Sequence, residues 1–152
     1  MFNIQILEDY KSNVSLDSIR QAAEAVASYL DVEDKNIISI IIDNNETLHR
    51  LNKEYLNIDS STDVLSFNSN EIDPETGNLY LGDIIVSYPA VLAQSMKYDH
   101  NVDNELQLLV IHGFLHLLGY DHDNQDRKEQ MWLIQKKILK SIHSPIDQIE
   151  ES

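Results

Sequence analysis

Residues 112–122 read H-G-F-L-H-L-L-G-Y-D-H. Residues four apart on a helix share one face, a turn apart. His112 and His116 can therefore aim two imidazoles at one point. Gly119 lets the chain turn sharply after the helix, and His122 can then return with a third nitrogen. Three histidines leave a fourth tetrahedral position for water or substrate, the arrangement of catalytic rather than structural zinc. A metal held there lowers the pKa of a water toward about 7 and polarises a phosphoryl or carbonyl oxygen. The expectation is one Zn2+ ion on His112, His116 and His122, although histidines also suit nickel, copper or iron. Asp121 is the candidate catalytic residue, orienting a ligand by hydrogen bonding, and the obvious alternative fourth ligand. His49, His100 and His143 are expected at the surface.

The spacing H-x-x-x-H-x-x-G-x-x-H is that of metzincin proteases. In H-E-x-x-H enzymes the residue after the first histidine is the general base. Here it is Gly113, so the ligand spacing fits and the peptidase mechanism does not.

These ligands need a helix to hold them. Asp103 or Asn104 is expected to cap an apolar helix through Leu118, and Gly119 to end it. Apolar on almost every side, this helix should be the central one. Asp123 or Asn124 caps a last helix to about Ile142, followed by a frayed tail over 143–152. Upstream, Phe2 to Leu7 alternates like a strand. Ser15 caps a helix reaching Leu30, with Ser18 at the third position. Asn36 to Ile42 is a β-branched run expected as a buried strand. Asp43 or Asn44 caps a helix through Leu56. Thr62 to Phe67 and Leu79 to Ser87 are strands separated by the turn signal Asp73-Pro74-Glu75-Thr76-Gly77. Pro89 opens a helix running to Tyr98. The fold class is α+β: one domain over 1–152, with a small mixed sheet of about four strands and about five helices.

The bulk properties narrow the function. At 152 residues and 42% hydrophobic content the chain can bury one core unaided. Without cysteine it has neither disulfides nor thiolate ligands. No stretch approaches the roughly 20 apolar residues of a membrane helix, and Met1 to Asp9 lacks the pattern of a signal peptide. A cytoplasmic protein without membrane partners is expected. Acidic residues outnumber basic ones 26 to 11, for a net charge of -15. A broad basic surface for nucleic acid is thereby excluded and no DNA partner is expected. Arg127, Lys128, Lys136, Lys137 and Lys140 form the one C-terminal basic cluster.

The histidine motif resembles the signature of the YbeY family of bacterial metal-dependent endoribonucleases. Leu51-Asn52 to Phe67, ending T-D-V-L-S-F, is similar to that family's first block, and Leu81-Gly82-Asp83-Ile84 to its second. The resemblance runs from about residue 40 to 140. It implies a single α+β domain, one zinc on the three histidines, cleavage of single-stranded RNA, and a role in ribosomal RNA maturation and ribosome quality control. Ribosomal RNA or ribosomal particles, and ribosome-associated proteins, are the implied partners. Two positions depart from the family pattern. Leu56 follows Tyr55 where the family has an arginine suited to phosphate, and Ser61 stands in place of a proline.

The leading reading is a zinc-dependent endoribonuclease. The alternatives are a ribosome assembly factor with a mainly structural metal, and a metallohydrolase for small substrates. Arg50 and Lys53 are candidate substrate-binding residues, in place of the missing arginine. Ser66, Thr62 and Asp63 are candidate cleft residues, or caps and turn formers; Ser66 is also a substrate-binding candidate. Asp83 is expected to be structural. For the attack, a metal-activated water and the ribose 2′-hydroxyl are both open.

Overall fold

The computed structural model describes residues 1–146. The β-branched run becomes β2 (Ile37–Asp43), with Ile38, Ile40 and Ile42 buried on one face of the sheet. β1 (Phe2–Ile6) lies parallel to it on one side and β4 (Leu79–Ser87) parallel on the other. β3 (Val64–Ile72) runs antiparallel to β4 and closes the order β1-β2-β4-β3 as an edge strand. The parallel neighbours are joined through helices: α1 (Leu16–Tyr29) links β1 to β2, and α2 (Asn45–Leu56) follows β2. A short 3-10 turn at Glu8–Tyr10 precedes α1. Among the described residues, α3 (Tyr88–Lys97), α4 (Val102–Leu117) and α5 (Gln125–Ser141) follow. The expected α+β domain with a four-stranded mixed sheet and five helices is the observed one.

Each face of the sheet has its own packing. Ile84 and Val86 of β4 join the isoleucines of β2 in the main core, with α1, α3, α4 and α5. The opposite face is covered by α2, whose Leu48 packs with Leu65 and Ile85. α4 is the central helix: eleven of its sixteen residues are buried, and it touches α1, α3, α5, β3 and β4.

Caps explain most of the helix starts. Ser15, Asn44 and Asn124 accept from Ser18, Thr47 and Arg127 backbone N–H groups. These choices settle two of the open alternatives in favour of the asparagine. At α4 the structure corrects the expectation. The cap is Asn101, whose Oδ1 accepts from Asp103 N at 2.8 Å. Asp103 sits inside the first turn, where its charge suits the helix dipole. β3 runs five residues past Phe67, across a register shift between Asn68 and Glu71. These polar residues lack strand patterning, and pairing to β4 carries them. The described part of the tail is packed: Ser144 N donates to Leu139 O at 3.0 Å, and Ile146 is 3% exposed. Residues 147–152 of the expected frayed tail lie outside the described residues.

Gly113 explains how closely α4 meets the sheet. A Cβ there would stand 2.7 Å from Ile84 Cγ2, 3.1 Å from Val64 Cγ2 and 3.2 Å from Ser66 Oγ. The position after the first histidine is thus a packing contact with no room for a glutamate. Gly113→Ala should destabilise the protein by about 1–3 kcal/mol, read from a denaturant melt. A melt unchanged from wild type would show that the sheet yields at this contact.

Candidate metal centre

α4 carries His112 and His116 on one face, one turn apart, with their Nε2 atoms 3.1 Å from each other. The chain leaves the helix through Leu118 and turns at Gly119, whose φ of +96° suits glycine. The His122 ring returns to 5.9 Å from that of His112 and 5.3 Å from that of His116, centroid to centroid. One donor nitrogen from each histidine lies within 4.8 Å of the other two.

The returning loop is tied down at several points. Tyr120 N donates to Leu115 O at 3.0 Å. Asp121 Oδ1 accepts from the His122 backbone N–H at 2.7 Å. Arg127 donates to Gly119 O at 3.1 Å and pairs with Asp123. Arg127, a member of the C-terminal basic cluster, therefore anchors the ligand loop. Lys128 of the same cluster lies over the Trp132 ring at 5.0 Å.

Gln135 on α5 is a contributor that the sequence did not reveal. It is fully buried, and its Oε1 lies 2.7 Å from His112 Nδ1. With an amide oxygen facing it, Nδ1 carries the ring proton, and the Nε2 lone pair points at the other histidines. Gln135 Nε2 is the one buried side-chain N or O without a partner among the described residues. The amide is therefore oriented toward the histidine at some cost. Helical periodicity could place Gln135 on the buried face of α5, but not opposite His112.

Burial holds the His112 pKa below the ordinary histidine value, and the neighbouring His116 pushes it the same way. Burial also lowers that of His116, against the pull of Asp121. Both rings are thus biased toward the neutral form that a metal requires. Two neutral Nε2 atoms facing each other at 3.1 Å repel unless a cation or proton lies between them. The donor set fits a transition metal, with N/N spacing close to the roughly 3.3 Å of a tetrahedral Zn–N site.

The histidines open into a cavity of about 360 Å³ between α4 and β3. Thr62, Asp63, Ser66 and Asp121 all line it, with Leu56 at one side. Two of these lining residues also make structural hydrogen bonds. Ser66 donates to Gly113 O at 2.7 Å, and Asp63 accepts from Val64 N and Gln94 Nε2. Asn68, unnoticed in the sequence, also lines the cavity and donates to Leu117 O at 2.7 Å. Arg50 and Lys53 are not brought to it: both are exposed on α2, and Arg50 pairs with Glu54. The lining holds two carboxylates and neither lysine nor arginine. Of the histidines expected at the surface, His49 is exposed and pairs with Asp59. His100 is a correction, because its Nδ1 lies 2.6 Å from the buried Glu105. A carboxylate at the start of α4 needs such a partner.

Residues 3–143 match the family model of Endoribonuclease YbeY. The chain belongs to the YbeY endoribonuclease family. A YbeY relative from Shouchella clausii is 37% identical over 153 aligned positions, covering 93% of this chain and 95% of its own. One from Brevibacillus brevis is 39% identical, covering 78% and 81%. A Thermotoga maritima protein known from its solution structure shares the fold, with a TM-score of 0.60, 24% identity, and coverage of 99% and 97%. The YbeY match spans every element that builds the histidine cluster.

Gln135→Leu should weaken metal binding about 10–100-fold, measured by competition with a chromogenic chelator. Unchanged affinity would mean that the Gln135 contact does not orient His112. The histidines also set a pH dependence. Their pKa values are lowered from 6.5 in the fold, so the unfolded chain takes up protons first as pH falls. The metal-free protein should lose stability progressively below about pH 6.5. Thermal melts across pH 5–8 should show this slope diminished in a His112→Gln, His116→Gln variant.

Proposed function

We propose that this protein is a zinc-dependent endoribonuclease that cleaves single-stranded RNA and acts in ribosomal RNA maturation and ribosome quality control in the cytoplasm. The observation that carries the reading is the trio His112, His116 and His122 at the wall of an open cavity, in a chain of the YbeY family. Cleavage of an RNA phosphodiester is the activity that the family name brings. No helix among the described residues is long and apolar enough to cross a membrane.

The three histidines would hold the ion. When bound, zinc supplies Lewis-acid polarisation of a phosphoryl oxygen and activation of a water near neutral pH. The chain does the positioning. Gln135 keeps His112 in the tautomer with Nε2 unprotonated. Asp121 holds the backbone of His122 and places negative charge near His116, which favours its role in orienting the ligands. Residue 113 offers no base, so a proton leaving the attacking oxygen has the carboxylates of Asp121 and Asp63 as acceptors in the lining. Arg50 and Lys53 have no role in this scheme, because they lie off the cavity. Phosphate charge is met chiefly by the ion.

One observation favours a second reading. The cavity lining has no lysine or arginine, and Leu56 lines it where the family pattern has arginine. That suits an assembly factor on ribosomal particles, with the metal mainly structural.

Metal content and cleavage of single-stranded RNA separate the two. Wild type should carry about one equivalent of metal and cleave, and a His112→Ala, His116→Ala variant should do neither. Metal-loaded wild type that cleaves no better than the variant, yet sediments with ribosomal particles, would support the assembly factor. In the endoribonuclease reading few phosphates are neutralised by side chains, so RNA affinity should change little with salt. A steep salt slope would reveal a basic surface elsewhere.

A further inference from the structure

The sheet carries a second cavity, of about 560 Å³, on the face away from α4. Its apolar walls include Leu51 and Tyr55 of α2 and Phe67 of β3, with Asp43 and Asp83 among its polar lining. Tyr55 is 67% exposed, and its ring meets that of Phe67 edge-on at 5.6 Å. A flat aromatic surface is therefore open beside the cavity. The Tyr80 hydroxyl contacts Asp83 and lies 2.6 Å from Ser39 Oγ, which pins the carboxylate in place.

Asn68 of edge strand β3 lines both this cavity and the metal cavity, which lie on opposite faces of the sheet. Ser87 N donates to Asp63 O, which sets the alternation of the β3–β4 ladder. The Ser66 N–H accordingly faces the open side of the edge. A strand of RNA with a phosphate at the metal can cross this edge and place a neighbouring base on the other face. Phosphate itself is unsuited to the second cavity, because Asp43 and Asp83 repel it. A neutral base can stack on an aromatic ring and donate N–H groups to a carboxylate.

Resting on the endoribonuclease reading, we propose that the cavity bounded by Tyr55, Phe67 and Asp83 binds a nucleobase of the substrate strand next to the scissile phosphate, with guanine preferred. Guanine presents two adjacent donors, N1–H and N2–H, to the carboxylate. Uracil presents one, flanked by two carbonyl oxygens that the carboxylate repels.

The test is fluorescence anisotropy of labelled pentanucleotides U-U-X-U-U, where X is G, A, C or U. Full-length zinc-loaded protein is used, and the pentanucleotides carry 2′-O-methyl groups and phosphorothioate links that resist cleavage. The expected order places G tightest and U weakest. Tyr55→Ala should weaken binding about tenfold, while Tyr55→Phe should not. Asp83→Asn should remove the preference for G over U, with folding checked by its melting curve. If Asp83→Asn does not fold, exposed Tyr55 still decides the matter. Equal affinity for all four RNAs, unaffected by Tyr55→Ala, would overturn the proposal. So would binding of a lysine-rich peptide that depends on Tyr55 and Asp83 when RNA binding does not. Cleavage is assayed separately with zinc-loaded protein. Base preference without cleavage would sink the endoribonuclease reading and keep the base site; cleavage without base preference would do the reverse.

Discussion

The site depends on the close approach of α4 to β3 and β4. Gly113 lets the helix lie so near the sheet that Ile84, Val64 and Ser66 would all crowd a β-carbon there. The contact is then reinforced through the helix carbonyls. Ser66 donates to Gly113 O and Asn68 to Leu117 O. Leu117 O belongs to the last turn, where carbonyls lack partners within the helix. Beneath it, Gly82 has φ +145°, and a β-carbon there would meet Phe67 O at 2.1 Å and Leu117 Cδ2 at 2.9 Å. Gly113 of the helix, Gly82 of β4, and the side chains of Ser66 and Asn68 on β3 thus seat α4. His112 and His116 look over the sheet edge because of that seating.

The same contact accounts for what the site lacks. A helix this close to the sheet has no space after the first histidine for the glutamate of a metzincin-type base. Gly113 is needed by the packing, so the departure from H-E-x-x-H reflects architecture as well as chemistry. The ligand loop is held separately, by Asp121 from within and by Arg127 from the start of α5. A basic residue is thereby engaged in positioning a ligand, in a chain with only eleven Lys and Arg.

Electrostatics points the same way. The cavity walls carry two carboxylates and no cationic side chain, within a chain of net charge -15. Burial lowers the pKa values of His112 and His116, so they add little positive charge at neutral pH. In the proposed function the metal is the main cation that an RNA phosphate meets. Recognition beyond it must then come from stacking and neutral hydrogen bonds, interactions to which an acidic surface is no obstacle.

Much of this protein is local in origin and was legible from residue order. The helix–turn–histidine spacing, the cap at Ser15, the Asp-Asn pairs before α2 and α5, the β-branched run of β2 and the apolar character of α4 each depend on residues within a few positions of one another. The α+β class and the three candidate ligands follow from those. Other features are set by contacts far apart in sequence, which periodicity cannot see. Gln135 meets His112 across 23 residues and Asn68 meets Leu117 across 49, while Arg50 and Lys53 turn out to be exposed on α2 and absent from the cavity lining. Even the glycine that reads as a missing base proves to be a contact between helix and sheet. The sequence by itself determined which groups could bind a metal and which local elements would carry them. Tertiary structure alone decided how those groups are oriented, buried and stripped of competing charge, because these properties depend on which distant surfaces meet.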